Sequence, residues 1–256
     1  MRKALLLFGN EIDRGNLIES AVYLQNSLKF KIYPLYIKDM SRDKIVAAST
    51  DGMMLGGRSP FIMQGWADIE KEEIESLEKE LKDKGINAPL EVDIGLVNEI
   101  VTEKMKECDT LLIGKNEVIT ERIVGVLKGN YKSVILIGEK PLNSLEKVLI
   151  ANDDGVKINR SCYQFTNLFT EVTKFDSFSI NLELDDNILL EYLKDKDKIV
   201  DHRVLKTNNY DEILDGIAKY DLFIMGNLSR SYFFEKIIGK NGIKLLENAK
   251  TPIFIG

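Results

Sequence analysis

Two stretches of sequence decide the fold, Asp109-Thr-Leu-Leu-Ile-Gly114 and Asp221-Leu-Phe-Ile-Met-Gly226. Each consists of an acidic residue, a run of four mostly apolar residues and a glycine, and each follows an amphipathic stretch. A short apolar run after a helical pattern is typical of a buried strand in a parallel sheet. Gly226 follows Gly114 by 112 residues, which predicts that one structural unit occurs twice in the chain.

A second pair of matching stretches lies near the end of each half. Asn130-Tyr-Lys-Ser-Val-Ile-Leu-Ile-Gly138 matches Asn248-Ala-Lys-Thr-Pro-Ile-Phe-Ile-Gly256, at an offset of 118 residues. The two offsets differ by six residues, so the copies differ in length between their fourth and fifth strands. The polar, proline-containing stretch 139–144 follows the first copy and predicts a domain boundary at about residue 143.

Short apolar runs alternate with amphipathic stretches along the whole chain, which is typical of βαβ units. The predicted strands are 3–8, 31–37, 90–94, 110–114, 133–138, 147–151, 175–182, 199–205, 222–226 and 252–255. The predicted helices include 16–28, 68–84, 96–107, 159–173, 186–193 and 210–218. We therefore predict an α/β protein with two tandem doubly wound domains, 1–143 and 144–256, each with a five-stranded, mainly parallel sheet. An extra segment, 41–66, is expected to form a long loop that packs across the halves or acts as a lid or partner-binding flap.

The composition excludes several classes of function. The chain has 256 residues, a formal charge of −6, one histidine and two cysteines. A mildly acidic chain lacks the basic field that non-specific nucleic-acid binding requires. Because Cys108 and Cys162 are far apart and His202 is the only histidine, the chain has little material for a Cys/His zinc site or a Ser-His-Asp triad. No metal site is predicted, and these three residues are interpreted as structural.

The apolar run Ala4–Phe8 is too short for the core of a signal peptide and fits a buried first strand. No stretch approaches the 18 or more apolar residues of a membrane span. We therefore expect a soluble, cytoplasmic protein with reduced thiols and without a membrane or nucleic-acid partner.

The two halves resemble universal stress proteins in their tandem, two-domain form. ATP-binding members of that family carry a loop after the fourth strand with the pattern Gly, two residues, Gly, nine residues, Gly, then Ser or Thr. The second half has Gly226, Ser229, Gly239 and Lys240 at these four positions, so the spacing is kept while two of the four residues differ. Pro252 lies where the family commonly has the proline that opens the fifth strand.

The resemblance implies one nucleotide site per chain, in the second half. Asp153 aligns with the family's acidic residue after the first strand and is implied to contact the ribose or adenine of ATP. Gly226, Ser229, Gly239 and Lys240 are implied to hold the phosphates, with Mg²⁺ between phosphates and protein. The first half reads Gly9-Asn10 where an acidic residue is expected, and it lacks the second and third loop glycines after Gly114.

A physical interpretation of the loop leaves two alternatives open. Glycines at a strand-to-helix turn permit positive φ and close approach to a phosphate, and a helix N-terminus supplies N–H donors. Lys240 at the start of the last helix would be an unfavourable cation unless an anion were bound there. Alternatively, Gly226 and Gly239 are simple turn glycines and Lys240 is a solvated charge.

Three functional hypotheses follow. The first is a stress-response protein that binds adenine nucleotide and is regulatory, with slow ATP hydrolysis or none. The second is a nucleotide-free scaffold or interaction module, with an unidentified protein partner. A hydrolase or ligase is disfavoured because neither first strand is followed by a Ser-Gly-Gly pyrophosphate loop. The two halves are expected to pack on each other through their fifth-strand edges, and whole chains are candidates for homodimers.

Overall fold

The computed structural model describes residues 1–9, 14–39, 60–115, 121–129, 132–153, 155–184, 188–226 and 242–256, and for residues 39, 60–70, 121–123, 128 and 242–244 it describes the backbone alone. The strands are β1 (Lys3–Phe8), β2 (Lys31–Asp39), β3 (Glu91–Gly95), β4 (Thr110–Gly114), β5 (Ser133–Ile137), β6 (Val148–Ala151), β7 (Lys174–Ile180), β8 (Ile199–Leu205), β9 (Leu222–Met225) and β10 (Ile253–Ile255). The helices are α1 (Arg14–Asn26), α2 (Pro60–Asp83), α3 (Val97–Lys104), α4 (Glu121–Gly129), α5 (Val156–Leu168), α6 (Ile188–Asp195), α7 (Tyr210–Ile217) and α8 (Gly242–Asn248).

The described strands form one sheet of ten, in the order β3-β2-β1-β4-β5-β10-β9-β6-β7-β8. Within each half the five strands are parallel and have the same relative order, whereas β5 and β10 pair antiparallel, with Ile253 opposite Leu136. The predicted α/β class and mainly parallel sheet are confirmed. Because β5 and β10 pair antiparallel, the strands of the two halves run in opposite directions. The carboxyl ends of the first set therefore lie on the same side of the sheet as the amino ends of the second set.

Helices cover both faces of the sheet. Helices α1, α2, α5 and α6 bury side chains in one apolar core, and α3, α4, α7 and α8 do so in the other. The strands supply both cores, since successive side chains point to opposite faces: Leu6 and Phe8 belong to the first core and Leu5 and Leu7 to the second. This explains why the central strands are apolar throughout rather than alternating.

The acidic residue at the start of each matching stretch has the same structural role. Asp109 Oδ2 accepts a hydrogen bond from the Lys3 backbone N–H at 2.7 Å, and Asp221 Oδ2 accepts one from the Lys147 backbone N–H at 3.0 Å. Each carboxylate therefore ties the start of the fourth strand of its half to the start of the first. The two-domain division at about residue 143 itself stays a prediction.

Helix α2 begins at Pro60, eight residues before the predicted start at Asp68. The end of the segment predicted as a loop is therefore helical, and residues 41–59 lie outside the described residues. Proline is favoured in the first turn of a helix because its φ is fixed near the helical value and no N–H is needed there. The glycines and polar residues upstream obscured this signal.

Candidate functional site

The second half has a crevice where its strand order reverses. Strands β6 and β9 are neighbours, with Ile150 beside Ile224, and their crossovers run to opposite sides. In open α/β sheets, ligands bind outside the carboxyl ends of the strands at such a switch point. Asp153 follows β6 and Gly226 follows β9, so the fold brings together these two residues, which are far apart in sequence.

The turn after β6 is held by its own polar groups. The Asn152 backbone N–H donates to Phe178 O at 2.8 Å, which extends the sheet by one residue, and the Asn152 side chain is buried. Asp153 Oδ1 accepts a hydrogen bond from the Gly155 N–H at 3.0 Å. This bond is a local Asx turn, so part of the role of Asp153 is to shape the entry to α5.

Helix α5 begins at the crevice with favourable electrostatics for an anion. Gly155 is its N-cap and provides no side-chain cap, and the first turn contains no acidic residue but does contain Lys157. The first N–H groups of a helix lack intrahelical acceptors and carry a partial positive charge. The Asp153 carboxylate already accepts from the Gly155 N–H, so a negatively charged group of a ligand would be accepted by the N–H groups of the first turn that follows.

Gly226 is required by helix packing and not by backbone conformation. A Cβ atom there would lie 3.1 Å from Lys157 Cβ and 3.2 Å from the Ile158 backbone N. The described glycines with positive φ are Gly85 and Gly95, so the positive φ that the loop pattern suggested does not occur at Gly226. The end of β9 and the first turn of α5 form one tightly packed wall of the crevice.

Ser161 fixes this wall from inside. Its hydroxyl donates to Met225 O at 2.8 Å and accepts from the Gly256 N–H at 2.9 Å. A single buried hydroxyl thus connects α5 to the ends of β9 and β10. Nothing in the sequence pattern distinguished this serine, because its role depends on two strands that meet only in the folded chain.

We expect Gly226→Ala to lower the free energy of unfolding by about 1–3 kcal/mol, because the added methyl group must displace the α5 backbone. Gly216→Ala is the matched control, since a Cβ there meets no atom within 4 Å. That control should be neutral or stabilise by about 0.5–1 kcal/mol, because alanine is the better helix former. Urea denaturation of both variants measures the difference, and equal effects would contradict the close approach at Gly226.

Comparisons with known proteins agree on the architecture. No family model matches the sequence, and neither does any curated protein. A universal stress protein from Archaeoglobus fulgidus DSM 4304 superimposes with a TM-score of 0.60 at 13% identity, covering 98% of this chain and 94% of that chain. A functionally unknown protein from Pseudomonas aeruginosa PAO1 gives a TM-score of 0.57 at 11% identity, covering 99% and 92%. The chain has the universal stress protein fold.

In the first half of this universal stress protein fold, a lysine follows β4, the strand equivalent to β9. Lys115 follows β4 and is 7% exposed, and its Nζ donates to the Glu247 carbonyl of α8 at 3.0 Å. A Cβ at Gly138 would lie 3.0 Å from Lys115 Cε. Burial lowers the pKa of Lys115 to about 8, although Glu139 and Glu247 act in the opposite direction. The Lys115 side chain extends from the end of β4 in the first half to the C-terminal end of α8 in the second half.

The other predicted loop residues, Ser229, Gly239 and Lys240, lie outside the described residues. Helix α8 is described from Gly242, two residues after Lys240, which was expected to open the last helix. Of the five predicted site residues, the structure therefore places Asp153 and Gly226.

The other residues considered in the sequence, His202, Cys108 and Cys162, lie in surroundings typical of structural residues. His202 Nδ1 lies 3.1 Å from Ser177 Oγ, and burial lowers the pKa of His202 despite nearby Asp201. Cys108 and Cys162 are buried free thiols, and burial raises the pKa of each. In the described part of the chain, no group of three His, Cys, Asp or Glu residues could hold a metal ion. The described helices include none that is both long and apolar enough to cross a bilayer.

Proposed function

We propose that the chain binds one adenine nucleotide, ATP with Mg²⁺, in the crevice of the second half, and that this binding serves a regulatory role in a stress response. The observation that supports the proposal is that Asp153 and Gly226 follow the neighbouring strands β6 and β9, at the switch point of the second half. The fold supports it, because ligands of open α/β sheets bind in such crevices.

Each part of the crevice suits one part of a nucleotide. The Asp153 carboxylate is an acceptor for ribose hydroxyls or the adenine amino group. Phosphate groups match the N-terminus of α5, which has Lys157 and no acidic residue in its first turn. In this proposal Ser229, Gly239 and Lys240 complete the phosphate contacts, and Mg²⁺ is held mainly by the phosphates.

A regulatory role is favoured over catalysis by the side chains near the crevice. His202, the general base with the most suitable chemistry, is directed at Ser177 of β7 within the sheet. Among the described residues, the turn between β6 and α5 contributes the Asp153 carboxylate to the crevice. We therefore propose slow ATP hydrolysis or none.

The second candidate function is a nucleotide-free interaction module. The first half favours it, because Gly9-Asn10 offers no carboxylate to match Asp153 and Lys115 at the end of β4 is engaged with Glu247 O of α8. If the second half proved unable to bind nucleotide, the same explanation would extend to the whole chain.

We expect Asp153→Ala to weaken ATP binding about ten- to one-hundredfold, because a hydrogen bond to a charged group contributes about 1.5–3 kcal/mol. Asp153→Asn should weaken it less, since the amide oxygen still accepts from the Gly155 N–H while the charge is lost. Isothermal titration with ATP and Mg²⁺ measures both variants.

Asp195→Asn is the control for this titration, because Asp195 is an exposed carboxylate at the end of α6, before the amino end of β8. It should bind ATP like the wild type. Unchanged affinity in Asp153→Ala, with wild-type binding intact, would show that the nucleotide lies elsewhere.

A further inference from the structure

Strand β8 ends the sheet and leaves one row of backbone groups facing outward. The Ile199 N–H donates to Thr173 O at 2.8 Å, and Leu205 O accepts from the Asn181 N–H at 2.9 Å. The odd-numbered residues of β8 therefore direct their backbone groups toward β7. Because these directions alternate along a strand, Val200, His202 and Val204 direct their N–H and C=O groups away from the sheet.

The sequence of β8 is self-complementary about its central residue. It reads Ile199-Val-Asp-His-Arg-Val-Leu205, with apolar pairs at both ends and Asp201 and Arg203 on either side of His202. A strand with this pattern is complementary to itself when a second copy runs antiparallel beside it. Asp201 then lies opposite Arg203 of the other copy, and Val200 opposite Val204.

We propose that β8 is a homodimer interface, in which two copies of the chain pair their β8 edges antiparallel about a two-fold axis at His202. In an antiparallel ladder, residues whose backbone groups face the partner form hydrogen-bonded pairs. Val200 with Val204, His202 with His202, and Val204 with Val200 are such pairs in this register. The charge pattern selects this register, and the outward-facing backbone groups are compatible with it.

The side chains on the α7 face support this register. Asp201 and Arg203 are exposed and become cross-strand neighbours at non-hydrogen-bonded positions, where side chains are closest. Ile199 is 63% exposed, so the free chain leaves a large apolar side chain of β8 in contact with solvent. Its opposite residue in the second copy is Leu205, which lines a groove of about 490 Å³ between β8 and α7. Pairing would cover Ile199 at that groove.

The lysines that flank β8 and the sequence of the other edge strand, β3, both bear on which strand can pair with a second copy. Lys198 and Lys206 flank β8 and would face each other, but each has a contact within its own chain. Lys198 Nζ donates to Thr170 O at 2.9 Å, and Lys206 Nζ lies 3.4 Å from Glu183 Oε1. The strand at the sheet's other end, β3, reads Glu91-Val-Asp-Ile-Gly95. Its two carboxylates both pair with Lys104 of α3, and the strand itself has no basic residue to lie opposite them in a second copy. Self-complementarity therefore distinguishes β8 from β3.

Charge reversal tests the register directly. In sedimentation equilibrium the wild type should approach twice its 29.1 kDa mass as concentration rises. Asp201→Arg and Arg203→Asp should each raise the dimer dissociation constant about tenfold or more, because like charges then lie opposite each other at two places. An equimolar mixture of the two single variants should recover a heterodimer with near wild-type affinity, since every opposing pair is again of opposite sign.

Val204→Pro provides a second test that leaves the charges unchanged. The Val204 N–H faces outward, so proline is expected to be tolerated in the monomer while removing donors from the interface. Circular dichroism verifies folding of each variant. A wild type that stays monomeric at high concentration would overturn the proposal, as would a dimer that neither charge reversal nor Val204→Pro weakens.

Discussion

Replacing Phe254 with alanine is expected to lower the free energy of unfolding by about 3–5 kcal/mol. Phe254 lies in β10, where the two halves of the sheet meet, and its side chain is fully buried. Its ring packs edge-on against Phe165 of α5, with ring centroids 5.1 Å apart. Truncation removes this contact and leaves a cavity beneath the helix that walls the crevice.

Urea denaturation followed by circular dichroism measures the effect of Phe254→Ala. Ile188→Ala is the control, because Ile188 is a large apolar residue that is mostly exposed, and its truncation should change stability by less than about 0.5 kcal/mol. A loss below about 1 kcal/mol for Phe254→Ala would contradict the tight packing of α5 on β10.

Replacing Lys115 with methionine is expected to stabilise the protein by about 1–2 kcal/mol near pH 7. The lowering of the Lys115 pKa from 10.5 to about 8 corresponds to about 3 kcal/mol of unfavourable charge burial. Methionine keeps a similar apolar volume without the charge. Part of the gain is offset because the variant loses the hydrogen bond to Glu247 O.

The stabilisation by Lys115→Met should depend on pH with a defined sign. Between pH 8 and 10.5, Lys115 loses its proton in the folded protein while the unfolded chain keeps it. The free energy of unfolding of the wild type therefore rises with pH through this window, because the cost of burying the charged lysine disappears. The variant lacks this gain, so its advantage over the wild type should shrink between about pH 7 and pH 9.5. An advantage that grows with pH would contradict a buried, charged Lys115.

Much of the fold could be predicted because it depends on local patterns. The continuous apolar runs of β1, β4 and β9 indicate strands buried on both faces, and the paired stretches at Asp109 and Asp221 indicate equivalent strands. The start of α2 could not be placed, because the residues before Pro60 carry no helical periodicity. A pairing of β5 with β10 was expected from their free edges, but neither its antiparallel direction nor its register was predicted.

The candidate site could be predicted only in part. Asp153 was predicted from the resemblance to universal stress proteins, and its bond to the Gly155 N–H was not anticipated. Gly226 was interpreted through the conformational freedom of glycine, whereas its requirement comes from contact with α5, which is distant in sequence. Lys115 gave no signal, because a lysine after a strand is usually a surface charge. Its burial results from α8, a helix of the other half.

The central claim is that the second half alone binds one nucleotide. Isothermal titration of the purified wild-type chain with ATP and Mg²⁺ tests it most directly. We predict saturable binding with one nucleotide per chain, since Asp153 has no counterpart at Gly9-Asn10 and the first half lacks the second and third loop glycines after Gly114. An absence of binding would contradict the nucleotide-binding role, and saturation at two nucleotides per chain would contradict the assignment to the second half alone.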